Sequence, residues 1–193
     1  MDTLKAELRD KKVRALRREG YITGNLFGRE IDGSILVKMT EKDVYEILRN
    51  NEKGSRITLD VEGKKYDVLI KEIDYGLYAK QIMDIEFQAL VSDEMVHSTA
   101  EIVLLNKEMV TQGVLEEITE EISYKALPAN LVDKVVIDAG KLRVGDTIRV
   151  KDLEISKNPK ISVITNPDTV IVSVVVSKIA AENSDKDEDK ETE

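Results

Sequence analysis

Between Lys5 and Arg18 the chain sets seven cations, Lys5, Arg9, Lys11, Lys12, Arg14, Arg17 and Arg18, against two acids, Glu7 and Asp10. A guanidinium is a planar fork that matches phosphate oxygens bidentately, so arginines at this density suit the closely spaced phosphates of a nucleic acid. On composition alone a solvated amphipathic helix is an equal alternative. Tyr21 and Phe27 follow directly and could stack on bases or equally fill a core.

To act together the cations need an element that presents them. From about Lys11 the residues are good helix formers, and Gly20 is placed to stop a helix at its C-cap. Lys11, Arg14 and Arg18 then share one face at i, i+3, i+7, with Val13, Leu16 and Arg17 on a neighbouring face. Cations near the helix C-terminus also suit its dipole.

Other chemistry is sparse. His97 is the one histidine and the chain has no cysteine, so a histidine-based triad, a histidine-cysteine metal site and a disulfide all lack their parts. His97 reads as an ordinary residue at the start of a strand. Gly24 and Gly28 are not followed by the Lys-Ser/Thr of a phosphate loop. Glu116-Glu117 and Glu120-Glu121 read as solvated faces in a chain that is 35% charged. No catalytic residue, cofactor or metal is expected, and the protein is not read as an enzyme.

The formal net charge of −9 argues against a polyanionic partner until its distribution is considered. Residues 1–91 carry 17 basic and 17 acidic side chains; residues 92–193 carry 12 and 21, so all the excess acid lies in the second half. At physiological salt the Debye length is about 8 Å, and a distant acidic surface barely weakens a local basic one. The start of the chain lacks the apolar core of a signal peptide. No apolar run approaches the roughly 18 residues of a membrane span, so a cytoplasmic protein with no membrane partner is expected.

Aromatics make up only 4% of the chain, so the core must be built from Val, Ile and Leu, which favours strands. Tyr21–Phe27 reads as an extended segment interrupted by Gly24, followed by a short strand at Ile35–Val37. A second helix starts at Thr40, a good N-cap with Asp43 three residues on, and carries the apolar stripe Val44, Ile47, Leu48 before Asn50-Asn51 and Gly54 end it. Strands follow at Arg56–Val61, Lys64–Ile73 and Gln81–Val91, the last two with alternating apolar and polar residues.

Beyond a joint at Ser92-Asp93-Glu94, strands are expected at His97–Leu105, Val110–Leu115, Glu120–Leu127, Lys134–Asp138, Thr147–Val150 and Thr169–Ser177. Gly and Pro punctuate them. The expected organisation is a domain over residues 1–91, a second over 95–178, and a disordered acidic tail over 181–193. The fold class is mainly β with a few helices (α+β).

The stretch Arg14-Ala15-Leu16-Arg17-Arg18-Glu19-Gly20-Tyr21-Ile22, then Leu26-Phe27-Gly28, resembles the 5S rRNA-binding large-subunit ribosomal protein numbered twenty-five. More closely it resembles the two-domain general stress protein CTC type. Asp67–Ile73 and Asp84-Ile85-Glu86-Phe87 follow in order. Ala126-Leu127-Pro128, Val136-Ile137-Asp138, Val144–Ile148 and Asp152-Leu153 then resemble the second domain of that type. The resemblance covers roughly residues 1–178.

It implies an N-terminal β-barrel that binds 5S rRNA in the central protuberance, and a mostly β second domain. It also implies a place among neighbouring proteins of the large ribosomal subunit, on cytoplasmic ribosomes, with a part in translation. Arg9, Arg14 and Arg17 match the family's RNA-contacting basic positions, and Lys12 and Arg18 extend the patch. Phe27 stands where the family has Tyr. Glu86 can accept a hydrogen bond from a guanine or cytosine amine.

The chain departs from the family pattern in several places. The Gly-Lys-Gly between Arg9 and Arg14 is missing. Thr23-Gly24 replaces Pro-Ala, Asp74 replaces Gln, and Asp84-Ile85-Glu86-Phe87 replaces His-Val-Asp-Phe. Two groups able to donate hydrogen bonds have become carboxylates, which phosphates repel. A diverged stress or interaction protein that kept the fold and lost the RNA site is therefore the alternative reading.

Overall fold

The computed structural model describes residues 2–77, 81–111 and 113–176. The acidic tail expected to be disordered, residues 181–193, lies outside the described residues. The chain divides into two compact units. One takes in the chain through Ala100 together with Tyr124–Asp133, and the other takes in Glu101–Ser123 and the described residues from Lys134 onward.

The first unit is built on a closed six-stranded barrel. Its strands are β1 (Thr3–Leu8), β2 (Tyr21–Phe27), β3 (Ser34–Thr40), β4 (Arg56–Val61), β5 (Lys64–Tyr75) and β6 (Ile82–Ala89), arranged in the order β1-β3-β2-β6-β5-β4. Closure removes free strand edges. It depends on β1, which pairs antiparallel with β3 and parallel with β4. In β1, Leu4 and Ala6 point into the core while Lys5 and Glu7 face out. Sequence reading had drawn these residues into a basic run and missed the strand.

Leu26, Val37, Ile57, Leu59, Val68, Ile70, Ile85 and Phe87 fill the interior, each at most 1% exposed. The segment interrupted by Gly24 is one continuous strand. A Cβ at Gly24 would lie 2.8 Å from the carbonyl oxygen of Ile85, its register partner on the adjacent strand β6, and 2.9 Å from the Met39 side chain, so the glycine leaves room for the packing at this point of the barrel wall.

Two helices decorate the barrel. Helix α1 (Val13–Arg18) has its N-cap at Lys12, whose extended backbone (φ −66°, ψ 143°) ends the preceding loop. The helix is therefore two residues shorter at its start than expected, and Lys11 lies outside it. Gly20 stops it with φ +82°, as its position suggested. Leu16, fully buried, anchors it against β2.

Helix α2 (Glu41–Ile47) buries Val44 and Ile47, and the Thr40 hydroxyl accepts from the Asp43 backbone N–H at 3.2 Å. Thr40→Ala removes that acceptor, and we expect a loss of about 1 kcal/mol in urea unfolding. A loss below about 0.3 kcal/mol would mean that the cap contributes nothing.

The rest of the chain is also rich in strands. Strands β7 (Val96–Leu105), β9 (Glu121–Ala126), β10 (Lys134–Asp138) and β12 (Ile161–Val163) form a sheet in the order β10-β7-β9-β12. Strands β8 (Val114–Glu117), β11 (Thr147–Arg149) and β13 (Val170–Val175) form another, ordered β11-β13-β8. Strand β12 has no counterpart in the sequence reading, and β8 starts at Val114, after a 3₁₀ turn at Lys107–Met109, where a strand is expected from Val110 to Leu115. The hydroxyl of buried Tyr124 accepts from the Val132 N–H at 2.8 Å and donates to the Val132 carbonyl at 2.9 Å, and burial raises its pKa.

Candidate nucleic-acid interface

The structure sorts the seven cations into those already engaged and those free. Lys11 is engaged: its ammonium lies 2.8 Å from Glu19, so the expected trio of Lys11, Arg14 and Arg18 reduces to the two arginines one helical turn apart. Arg17 Nη2 donates to the Met83 carbonyl of β6 at 3.2 Å, which ties α1 to the barrel and leaves the other guanidinium donors uncommitted. Lys5 points outward from β1.

Arg9 is half-buried; Lys12, Arg14 and Arg18 are exposed. No carboxylate pairs with these four among the described residues. They surround α1 next to the outer face of β2, where its register with β6 sets Thr23 opposite Asp84, Asn25 opposite Glu86 and Phe27 opposite Gln88. Phe27 is half-buried at the end of β2, outside the central core cluster, so part of it reaches the surface. Glu86 is exposed on the same face. Tyr21 is partly occupied already, with the Lys38 ammonium 5.3 Å from its ring centroid.

Lys38 shows how position decides whether a cation counts. Its ammonium lies 2.8 Å from Asp10 and 3.4 Å from Glu7. The hydrogen bond to Asp10 raises the Lys38 pKa, and the same bond holds the Asp10 carboxyl below the usual aspartate value. Both stay charged throughout the neutral range, and the positive charge is cancelled locally. Lys38→Met should therefore change the salt slope of RNA binding by less than about 0.5, whereas losing one free cation such as Arg14 should change it by about 0.7–0.9. Equal changes would show that local pairing does not decide which cations meet phosphate.

The same face carries charge of the other sign. The pairing of β5 with β6 puts Asp74 directly opposite Asp84 and Glu72 opposite Glu86. Opposed like charges on a sheet are destabilising, although the Lys53 ammonium, 3.2 Å from Glu72, offsets the charge in one of the two pairs. Sequence reasoning saw the individual carboxylates but not that they meet in two cross-strand pairs. His97 is exposed on β7, and its pKa is lowered by partial desolvation and by Lys125 and Lys71. Among the described residues no group of three or more His, Cys, Asp or Glu side chains could hold a metal, and no helix is long and apolar enough to cross a membrane.

A closed barrel that carries an arginine-bearing helix beside a strand face defines a small β-barrel with a group of cations that have no carboxylate partner among the described residues. Comparison with known sequences gives the lineage. A family model described as the Ribosomal L25p family matches residues 4–87, and one described as Ribosomal protein TL5, C-terminal domain, matches residues 95–178.

A protein of Geobacillus thermodenitrificans named large ribosomal subunit protein bL25 is 30% identical over 153 residues, covering 77% of this chain and 72% of the relative. Proteins of the same name from Exiguobacterium sibiricum and Carboxydothermus hydrogenoformans are each 29% identical. The first match covers 93% of this chain and 81% of the relative, the second 90% and 89%. The chain belongs to the ribosomal L25p family.

Proposed function

We propose that this protein is a structural, non-catalytic constituent of the large ribosomal subunit that binds 5S rRNA in the central protuberance, on cytoplasmic ribosomes and beside neighbouring ribosomal proteins. RNA binding is assigned to residues 1–91, and residues 95–178 form a second domain. The observation that carries this reading is the group of four cations, Arg9, Lys12, Arg14 and Arg18, around α1, which have no carboxylate partner among the described residues in a chain whose net charge is −9. Arginine and lysine left unneutralised in so acidic a chain suit an external anion, and the family supplies the ribosome as its source.

Docking would proceed by phosphate contacts from α1 and the preceding loop, with the outer face of β2 and β6 laid against a distorted RNA helix. If about five phosphates are neutralised, log K for 5S rRNA should fall against log salt with a slope of roughly −3.5 to −4.5. A salt-independent affinity, or none, overturns the reading.

The opposed pairs Asp74/Asp84 and Glu72/Glu86 favour one alternative, a protein-interaction module that kept the fold and lost the RNA site. The double substitution Asp74→Gln and Asp84→His separates the two. A large gain from near-zero affinity would support the alternative, and a small change in an already tight complex would support RNA binding.

A further inference from the structure

The barrel has no free strand edge, so open backbone edges lie at the ends of the other two sheets. Of the end strands there, β11 and β12 are three residues long, and β8 is four residues ending in Glu116-Glu117. Strand β10 differs. It is five residues, Lys134-Val135-Val136-Ile137-Asp138, paired on one side with the parallel strand β7 and with no strand on the other among the described residues. Val136, at its middle, is 59% exposed. Its register partner Val103, and Leu105 opposite Asp138, lie on the same face of the sheet and continue an apolar row. An exposed apolar edge of this kind is a template for another strand.

The charges at its ends select which strand. Lys134 and Asp138 stand two residues either side of Val136 and share its face. In an antiparallel pair of two β10 strands centred on Val136, Lys134 of each copy lies opposite Asp138 of the other. Val135 then meets Ile137, and Val136 meets its own counterpart. Opposite charges directly across a sheet stabilise it, and like charges destabilise it. A parallel pair in register sets Lys134 against Lys134 and Asp138 against Asp138. A two-residue slip of the antiparallel pair sets Lys134 or Asp138 against Val136. One orientation and one register therefore satisfy both charges.

The charged ends are already held in place within each copy. Lys134 Nζ lies 3.2 Å from Glu101, its register partner on β7. Asp138 Oδ1 accepts from the Asn106 side-chain amide at 2.8 Å, and Lys141 Nζ lies 3.5 Å from Asp138 Oδ2. The side chains of Lys134 and Asp138 nevertheless remain 41% and 39% exposed. Positioned but open, they lose little freedom on contact.

We propose that β10 is the interface of a two-fold symmetric dimer, in which the four-stranded sheet continues through β10 of a second copy. Main-chain hydrogen bonds between the strands supply the affinity, and the paired Lys134 and Asp138 set the register. One short strand from each copy buries less than a standard interface, so the dimer is weak. The inference concerns the chain free of RNA and does not rest on the function proposed above.

The test is sedimentation equilibrium of the full chain without RNA, across roughly 10 µM to 1 mM. The wild-type chain is expected to pass from one copy to two as its concentration rises. Lys134→Asp sets acid against acid in both cross-strand pairs, and Asp138→Lys sets base against base. Each variant alone should associate at least about 10-fold more weakly. Mixed in equal amounts, the two restore both attractive pairs in the heterodimer, and association should return most of the way to the wild-type level. Both are surface positions, and thermal unfolding checks that each variant keeps the fold.

A wild-type chain that stays monomeric over the whole range overturns the inference and shows that the charged ends only guard the edge. Association that both reversals leave unchanged, or that the mixture fails to restore, also overturns it.

Discussion

Replacing Arg9, Lys12, Arg14 and Arg18 together with Gln is expected to make the salt slope of 5S rRNA binding shallower by roughly 3 and to cost on the order of 10²- to 10³-fold in affinity near 0.15 M salt. These side chains have no carboxylate partner among the described residues, and three of the four are exposed. Their removal breaks no described ion pair and should leave the fold intact. Stability should change by less than about 0.5 kcal/mol per site, the usual range for surface positions. A control set separates local presentation from net charge. Replacing the engaged cations Lys11, Lys38, Lys107 and Lys151, each within 2.8 Å of a carboxylate, removes the same number of charges. Its slope should stay close to that of wild type. Equal losses in both sets would mean that overall charge, not the surface around α1, drives association.

Gly54→Ala is the second large effect, this time on stability. Gly54 has φ +91°, and its carbonyl accepts from the Ser98 hydroxyl at 3.4 Å while its N–H donates to the Ile70 carbonyl at 2.8 Å. A Cβ built there would lie 2.0 Å from the Thr99 carbonyl oxygen. That neighbour is backbone, so it cannot rotate away, and the left-handed conformation adds its own cost for any L side chain. We expect about 2–4 kcal/mol of destabilisation, read as a lower urea midpoint at constant m. Gly63, with the same φ of +91° but nothing within 4 Å of its would-be Cβ, isolates the conformational part. Gly63→Ala should cost only about 1 kcal/mol. If the two variants lose equal stability, the close approach of residue 54 to Thr99 is not a constraint.

What the sequence revealed of this fold depended on the range of the signal. Helix α2 was legible because cap, stripe and terminator all lie within about fifteen residues. The β4–β5 hairpin was legible from its Glu62-Gly63 turn and alternating strands. Strand β1 was not, because Leu4 and Ala6 give only a weak alternation over six residues that also belong to the basic run. Its strand character comes from pairing with β3 and β4, which are distant in the chain.

The site divides in the same way. The density of arginine and lysine is local and was visible. That Arg17 is tied to Met83 and that Thr23 meets Asp84 depends on partners 66 and 61 residues away, and no spacing rule reveals these. Lys11 was assigned to the helix face because its residue type permits helix. The extended backbone of Lys12 delays the helix to Val13, two residues later, and the ion pair with Glu19 cancels the Lys11 charge.

The most direct test of the account is sedimentation of ribosomal subunits at moderate salt from cells producing either the wild-type chain or the four-site Gln variant. The account predicts that the wild-type chain travels with the large subunit and that the variant remains at the top of the gradient. Equal association of the two, or no association of the wild-type chain, would contradict it.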